Sequence, residues 1–175
     1  MKKMILIHTA LKHEAKPIIE YFKLQCIETK PYKVYNKDNI VLIVTGMGAK
    51  NTLHVESIFG KYDIQKAINI GIAGCKDKSV DIGSIFCTNK QLDSIAHATI
   101  TTVDLPLSSS ENLKTTLVDM EANIFIDICQ KFLHIDDIYV LKIVSDYLDT
   151  TIPKKEFIWK IIEKNLKNIS QIVTS

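Results

Sequence analysis

The chain has 175 residues, 46% of them hydrophobic and 24% charged, enough for one domain with a substantial core. Its net charge of +2 is too small to argue for binding to nucleic acid or to a membrane surface. All 22 basic residues are lysine, so no arginine fork is available to grip a phosphate or carboxylate in a bidentate way.

At the N-terminus, "MKKMILIHTALKHEAK" starts basic, but its apolar run, Met4 to Ile7, is too short for a secretory signal. "MILIHT" (4–9) reads as a buried strand. A helix is expected over "HEAKPIIEYFKL" (13–24), with Pro17 tolerable only in its first turn. "YKVYN" (32–36) alternates like a strand, and "NIVLIVTG" (39–46) is a second apolar strand, broken by Gly46-Met47-Gly48. A helix follows over roughly 49–59. "KAINIGIAG" (66–74) is another buried strand closed by glycine, and "DIGSIFCTN" (81–89) is a further one. Residues 90–116 are polar and weakly patterned, a loop with a short strand.

In "LVDMEANIFIDICQKF" (117–132) a helix is expected from Asp119 onward. Ile124, Phe125, Ile128 and Phe132 recur at the spacing of one buried face, and Glu121 falls on that same face. "IYVLKIVSD" (138–146) is a strand, and "KKEFIWKIIEKNLKNI" (154–169) an amphipathic helix. Alternating strands and helices indicate an α/β fold: three layers, with a mixed, largely parallel central sheet flanked by helices. No linker divides the chain, so one domain over 1–175 is expected.

Cys26, Cys75, Cys87 and Cys129 form no CxxC pair and no Cys/His ligand spacing, and read as reduced core thiols. The five histidines are scattered without ligand spacing and read as structural or exposed. No metal or cofactor is implied. No run approaches the ~20 apolar residues of a membrane span, and a cytoplasmic protein is expected.

In open α/β sheets the ligand crevice lies beyond the carboxyl ends of the strands. Those ends carry His8, Thr9 and then Glu14, the GMG and GIAG turns, and Ser145-Asp146. Three acids, Glu14, Glu121 and Asp146, are therefore expected to converge on one rim. Each has another reading: Glu121 as a carboxylate answering a helix N-terminus capped by Asp119, Asp146 as a cap of the turn after its strand, and Glu14 as a solvated first-turn glutamate.

Together the segments resemble a known family. "TALKHEAKPII" (9–19), "VTGMGAKNT" (44–52), "INIGIAG" (68–74), "VDIGSIF" (80–86), "VDMEA" (118–122) and "LKIVSD" (141–146) occur in the order seen in the nucleoside phosphorylase family. Within it the chain looks most like the 5'-methylthioadenosine/S-adenosylhomocysteine nucleosidases, over about residues 4 to 148. The resemblance implies that Met120 and Glu121 contact ribose, the carboxylate accepting from the 2' and 3' hydroxyls. A buried carboxylate needs such partners. Ile72, Ala73 and Gly74 of the GIAG turn, with Ser145, complete the implied substrate-binding set.

Breaking an N-glycosidic bond builds oxocarbenium character on the sugar, and a purine leaves only once N7 is protonated. The resemblance gives the proton donor as Asp146 and the base that activates water as Glu14. Family phosphorylases hold phosphate with arginines, which this chain lacks, so water is favoured as the nucleophile. Homo-oligomers, dimers or larger, are usual in the family.

Two features depart from the family pattern. Ile72 stands where nucleosidases usually carry a serine that helps place the water. The chain is also shorter between "DIGSIF" and "VDMEA", and residues 90–117 hold no Phe, Tyr or Trp to stack on the base. Hydrolysis of a purine nucleoside is the expected activity. Phosphorolysis and a non-catalytic nucleoside-binding role are the alternatives.

Overall fold

The computed structural model describes residues 2–175. In chain order its elements are β1 (Lys3–Thr9), α1 (Lys12–Phe22), β2 (Gln25–Glu28), β3 (Lys33–Lys37), β4 (Ile40–Val44), α2 (Ala49–Thr52), α3 (Glu56–Phe59) and β5 (Asp63–Cys75). Then come β6 (Ile85–Cys87), β7 (Ala96–His97), β8 (Ile100–Thr102), β9 (Leu117–Asp119), α4 (Ala122–Cys129), β10 (Ile138–Asp146), α5 (Lys155–Lys164) and α6 (Leu166–Thr174). Two 3₁₀ turns, Leu53–Val55 and Ile135–Asp137, precede α3 and β10.

The apolar runs of β1 and β4 have a direct cause: both faces of the sheet are covered. Ile5 and Ile7 of β1 pack into one core, with Ile18 of α1, Ile158 and Ile162 of α5 and Ile169 of α6. Met4 and Leu6, one residue out of step, pack into the other with Ile58 of α3 and Phe125 and Ile128 of α4. Each such side chain contributes roughly 1.5–3 kcal/mol by leaving water. The result is three layers, helix, sheet and helix. The strands run in the order β2-β3-β4-β1-β5-β10-β6-β7, with β9 paired to the far end of β5 and β8 to β9. The central strands β4, β1, β5 and β10 are mutually parallel; β2–β3, β3–β4, β6–β10 and β9–β5 pair antiparallel, and β6–β7 and β8–β9 parallel.

The structure corrects several expected elements. Asp119 ends a strand rather than opening a helix, and α4 begins at Ala122. The helix stops at Cys129, so Phe132 lies past it, 49% exposed and stacked on Phe59. The helix expected over 49–59 is two four-residue pieces around a 3₁₀ turn. Thr52 Oγ1 donates to Gly48 O and Ser57 Oγ to His54 O, side-chain bonds that compete with the helical ladder.

The C-terminal helix divides at Asn165, whose side chain donates to Ile161 O at 2.8 Å and to Gly83 O at 2.9 Å, satisfying a carbonyl that α5 leaves open. Pro17 sits in the second turn of α1, buried, beyond the first-turn limit set for it. The strand expected over 81–89 shortens to β6, and β2 was not expected. Cys26 is exposed, whereas the other three thiols are buried.

Candidate active site

Strands β1, β5 and β10 lie side by side and parallel, so their carboxyl ends open on one side of the sheet. An open cavity lies there, walled by residues from several elements, at the place where open α/β sheets bind ligands. Glu14, Glu121 and Asp146 all line it. So do Met120, Ser145 and the Ile72-Ala73-Gly74 turn. The cavity thus brings together the residues that the resemblance assigned to catalysis and substrate binding, with Met47 of the GMG turn, whereas His8 and Thr9 do not line it.

Glu14 is the third residue of α1 and is buried, not solvated. Its Oε2 accepts from Leu11 N at 2.8 Å and its Oε1 from Ile72 N at 2.9 Å. Burial raises its pKa from 4.5 to about 7, against the pull of those two N–H groups and of the Lys142 ammonium. Ile72, with no hydroxyl to offer, thus holds Glu14 through its backbone.

Glu121 precedes α4, yet its carboxylate does not cap that helix. Oε1 accepts from Gly48 N at 2.7 Å, across the cavity rim from the GMG turn. Burial raises its pKa too. The cap is Asp119, whose Oδ2 accepts from Glu121 N at 3.2 Å and Ala122 N at 2.8 Å. Its Oδ1 accepts from Thr102 Oγ1 at 2.8 Å.

Asp119 Oδ2 also lies 2.8 Å from Lys142 Nζ, and both side chains are buried. Burial alone would lower the lysine, but Asp119, Glu121 and Glu14 around it outweigh that and hold it above the usual value. Lys142, buried behind the cavity beside Glu14 and Asp119, is the residue of this cluster that sequence reasoning missed. It stands mid-strand in β10, directly opposite Gly71 of β5. A side chain at Gly71 would place its Cβ 3.1 Å from Glu14 Oε1 and 3.2 Å from Lys142 Nζ, so the ammonium and the carboxylate occupy the space that glycine leaves. The signal was available: a lone lysine in a strand buried on both faces has no solvated side to face.

Asp146 does cap its own turn, accepting from Asp149 N at 2.9 Å, while Ser145 Oγ donates to its Oδ2 at 2.6 Å. It lines the cavity as well, so both readings of it hold in one geometry. Leu148, in left-handed backbone at φ 64°, packs beside it against Gly74. Aliphatic wall comes from Val103, Pro106 and Leu107 of the 90–117 segment, from Val118, and from Ile152 and Pro153 beyond β10, where Asp149, Thr150 and Thr151 add polar groups. That segment borders the cavity without filling it.

No family model matches the chain, and no curated protein does. Solved structures do. A Helicobacter pylori 5'-methylthioadenosine nucleosidase mutant with 5'-methylthioadenosine in its active site superposes with a TM-score of 0.83 at 19% identity, over 99% of both chains. A futalosine hydrolase mutant of the same organism gives 0.80 at 18%, again over 99% of both. A Campylobacter jejuni 5'-methylthioadenosine/S-adenosyl homocysteine nucleosidase gives 0.78 at 16%, over 97% of both. The chain therefore has the mixed, mostly parallel α/β fold that these nucleosidases and the futalosine hydrolase share.

Proposed function

We propose that the chain hydrolyses the N-glycosidic bond of purine nucleosides of the methylthioadenosine kind. The observation that carries this reading is the meeting of Glu14, Glu121 and Asp146 on one cavity, with Glu14 buried and its pKa raised to about 7. A general base works best when its pKa lies near the operating pH. In the reaction Glu14 takes a proton from water as its oxygen bonds to the anomeric carbon. The carbon–nitrogen bond breaks, and its electrons pass to the base, which leaves with a proton on N7 supplied by Asp146. Glu121 receives the ribose hydroxyls. The H. pylori neighbour that holds 5'-methylthioadenosine supports the substrate class.

Water is favoured over phosphate because only carboxylates supply charge to the cavity lining, which includes no lysine. We further infer a homodimer or larger assembly in the cytoplasm: Leu53 is 54% exposed, and the Phe59–Phe132 stack reaches the surface.

The test is base release from a panel of purine nucleosides, with and without phosphate, alongside Glu14→Gln and Asp146→Asn. Release without phosphate, lowered roughly 10²–10⁴-fold by either change, supports the reading. Release only with phosphate assigns the chemistry to a phosphorylase. A folded protein that releases no base from any of them overturns the enzyme reading in favour of a binding role.

A further inference from the structure

His8 lies near the carboxyl end of β1, fully buried, and takes no part in the chemistry above. A polar ring in that position needs partners, and it has two. Asn69, its register partner across the sheet on β5, places Nδ2 2.8 Å from His8 Nδ1. Thr45 Oγ1, just past β4, lies 2.8 Å from His8 Nε2. The ring also stacks on Phe125 of α4, with centroids 5.4 Å apart and planes 12° from parallel. Phe125 N in turn bonds Glu121 O at 2.9 Å.

Burial, and then the charge of Lys142, lower the imidazole to about 3, so the ring is neutral. It therefore has one N–H and one acceptor nitrogen. Their assignment follows from the network. Thr45 has a single hydroxyl proton, and Gly46 O, 3.1 Å away, receives it. Thr45 Oγ1 must then accept from His8 Nε2–H, which leaves Nδ1 to accept from the Asn69 amide. All donors point one way, from Asn69 through His8 and Thr45 to the Gly46 carbonyl. That carbonyl opens the Gly46-Met47-Gly48 turn, with φ of 97° and 88° at its glycines, backbone that other residues rarely adopt. Gly48 N–H then donates to Glu121.

We propose that His8 is a positioning residue that fixes the Gly46–Gly48 turn through Thr45, so that Gly48 N–H holds the Glu121 carboxylate in place for the sugar. Its link to the sugar rests on the nucleosidase reading, whereas its link to the turn and Glu121 does not.

The test compares His8→Leu, Thr45→Val and His8→Gln. The first removes both ring contacts, the second removes the relay hydroxyl, and the third puts an amide nitrogen near the position of Nε2. Amide hydrogen exchange over 46–48, measured on the free protein, is expected to quicken about tenfold in His8→Leu and Thr45→Val, the loss of one ordinary hydrogen bond. It stays near wild type in His8→Gln, and β5 core amides stay protected in all three.

In turnover, the preference in kcat/KM for a nucleoside over its 2'-deoxy analogue is expected to fall about tenfold in the first two variants and to persist in His8→Gln. Unchanged exchange in Thr45→Val, or equal quickening in His8→Gln, overturns the proposal. If the wild-type protein releases no base, the exchange measurement still decides the role of His8, and only the nucleosidase reading falls.

Discussion

Lys142 Nζ and Asp119 Oδ2 are 2.8 Å apart, and 1% of one side chain and none of the other is exposed. Removing one member of such a buried pair leaves an uncompensated charge, at about 3–5 kcal/mol. Lys142→Met is therefore expected to lower the free energy of unfolding by that order. Combining it with Asp119→Asn is expected to recover part of the loss, because the orphaned carboxylate is gone. Urea unfolding of the single and double variants checks this, and a double variant no more stable than Lys142→Met would sink it.

Glu14 ties stability to pH. Its folded value of about 7 lies above the ordinary 4.5, so the folded chain holds this proton more tightly than the unfolded chain. The resulting stabilisation is complete below pH 4.5 and is lost as pH rises through 7, on the order of 3 kcal/mol in all. Base release runs the opposite way, rising through the same window as the carboxylate forms. In Glu14→Gln the fall in stability from this group is expected to vanish, as denaturation at a series of pH values would reveal.

Gly71→Ala is expected to disturb the site more than the fold. Its new Cβ would stand 3.1 Å from Glu14 Oε1 and 3.2 Å from Lys142 Nζ, so both side chains must shift by tenths of an ångström. A 1 Å misplacement of reacting groups costs roughly 100-fold, so shifts of tenths of an ångström are expected to lower turnover by about tenfold or less. Pushing the ammonium away from Glu14 also moves the acid limb of the pH profile upward. A full pH profile of kcat/KM measures both effects.

Asn165→Ala tests the helix division far from the chemistry. The Asn165 amide donates to both Ile161 O and Gly83 O in a buried setting. Its loss is expected to cost about 1–3 kcal/mol in thermal or urea unfolding, with kcat unchanged.

Much of this architecture was legible from the chain alone, for a physical reason. Parallel strands buried on both faces must be apolar, so the polar residues at their exits stood out, and Glu14, Glu121 and Asp146 do border one cavity. Element ends were harder to read. Asp119 looked like a helix cap and is one, but the same carboxylate also ends β9, receives Thr102 and pairs with Lys142. Local pattern cannot show a residue serving four partners at once. His8 was read as structural or exposed because its partners, Thr45 and Asn69, lie 37 and 61 residues away.

The sheet order carries a consequence for how this chain is made. β5 sits between β1, which leaves the ribosome before it, and β10, which follows only after residue 138. At about 5–20 residues per second, one side of β5 waits several seconds for its neighbour. That side is an apolar edge with unpaired backbone groups, the kind of surface that templates aggregation. The strand that ends in Asp146 thus brings that acid to the candidate site and covers the open edge of β5 in the same step.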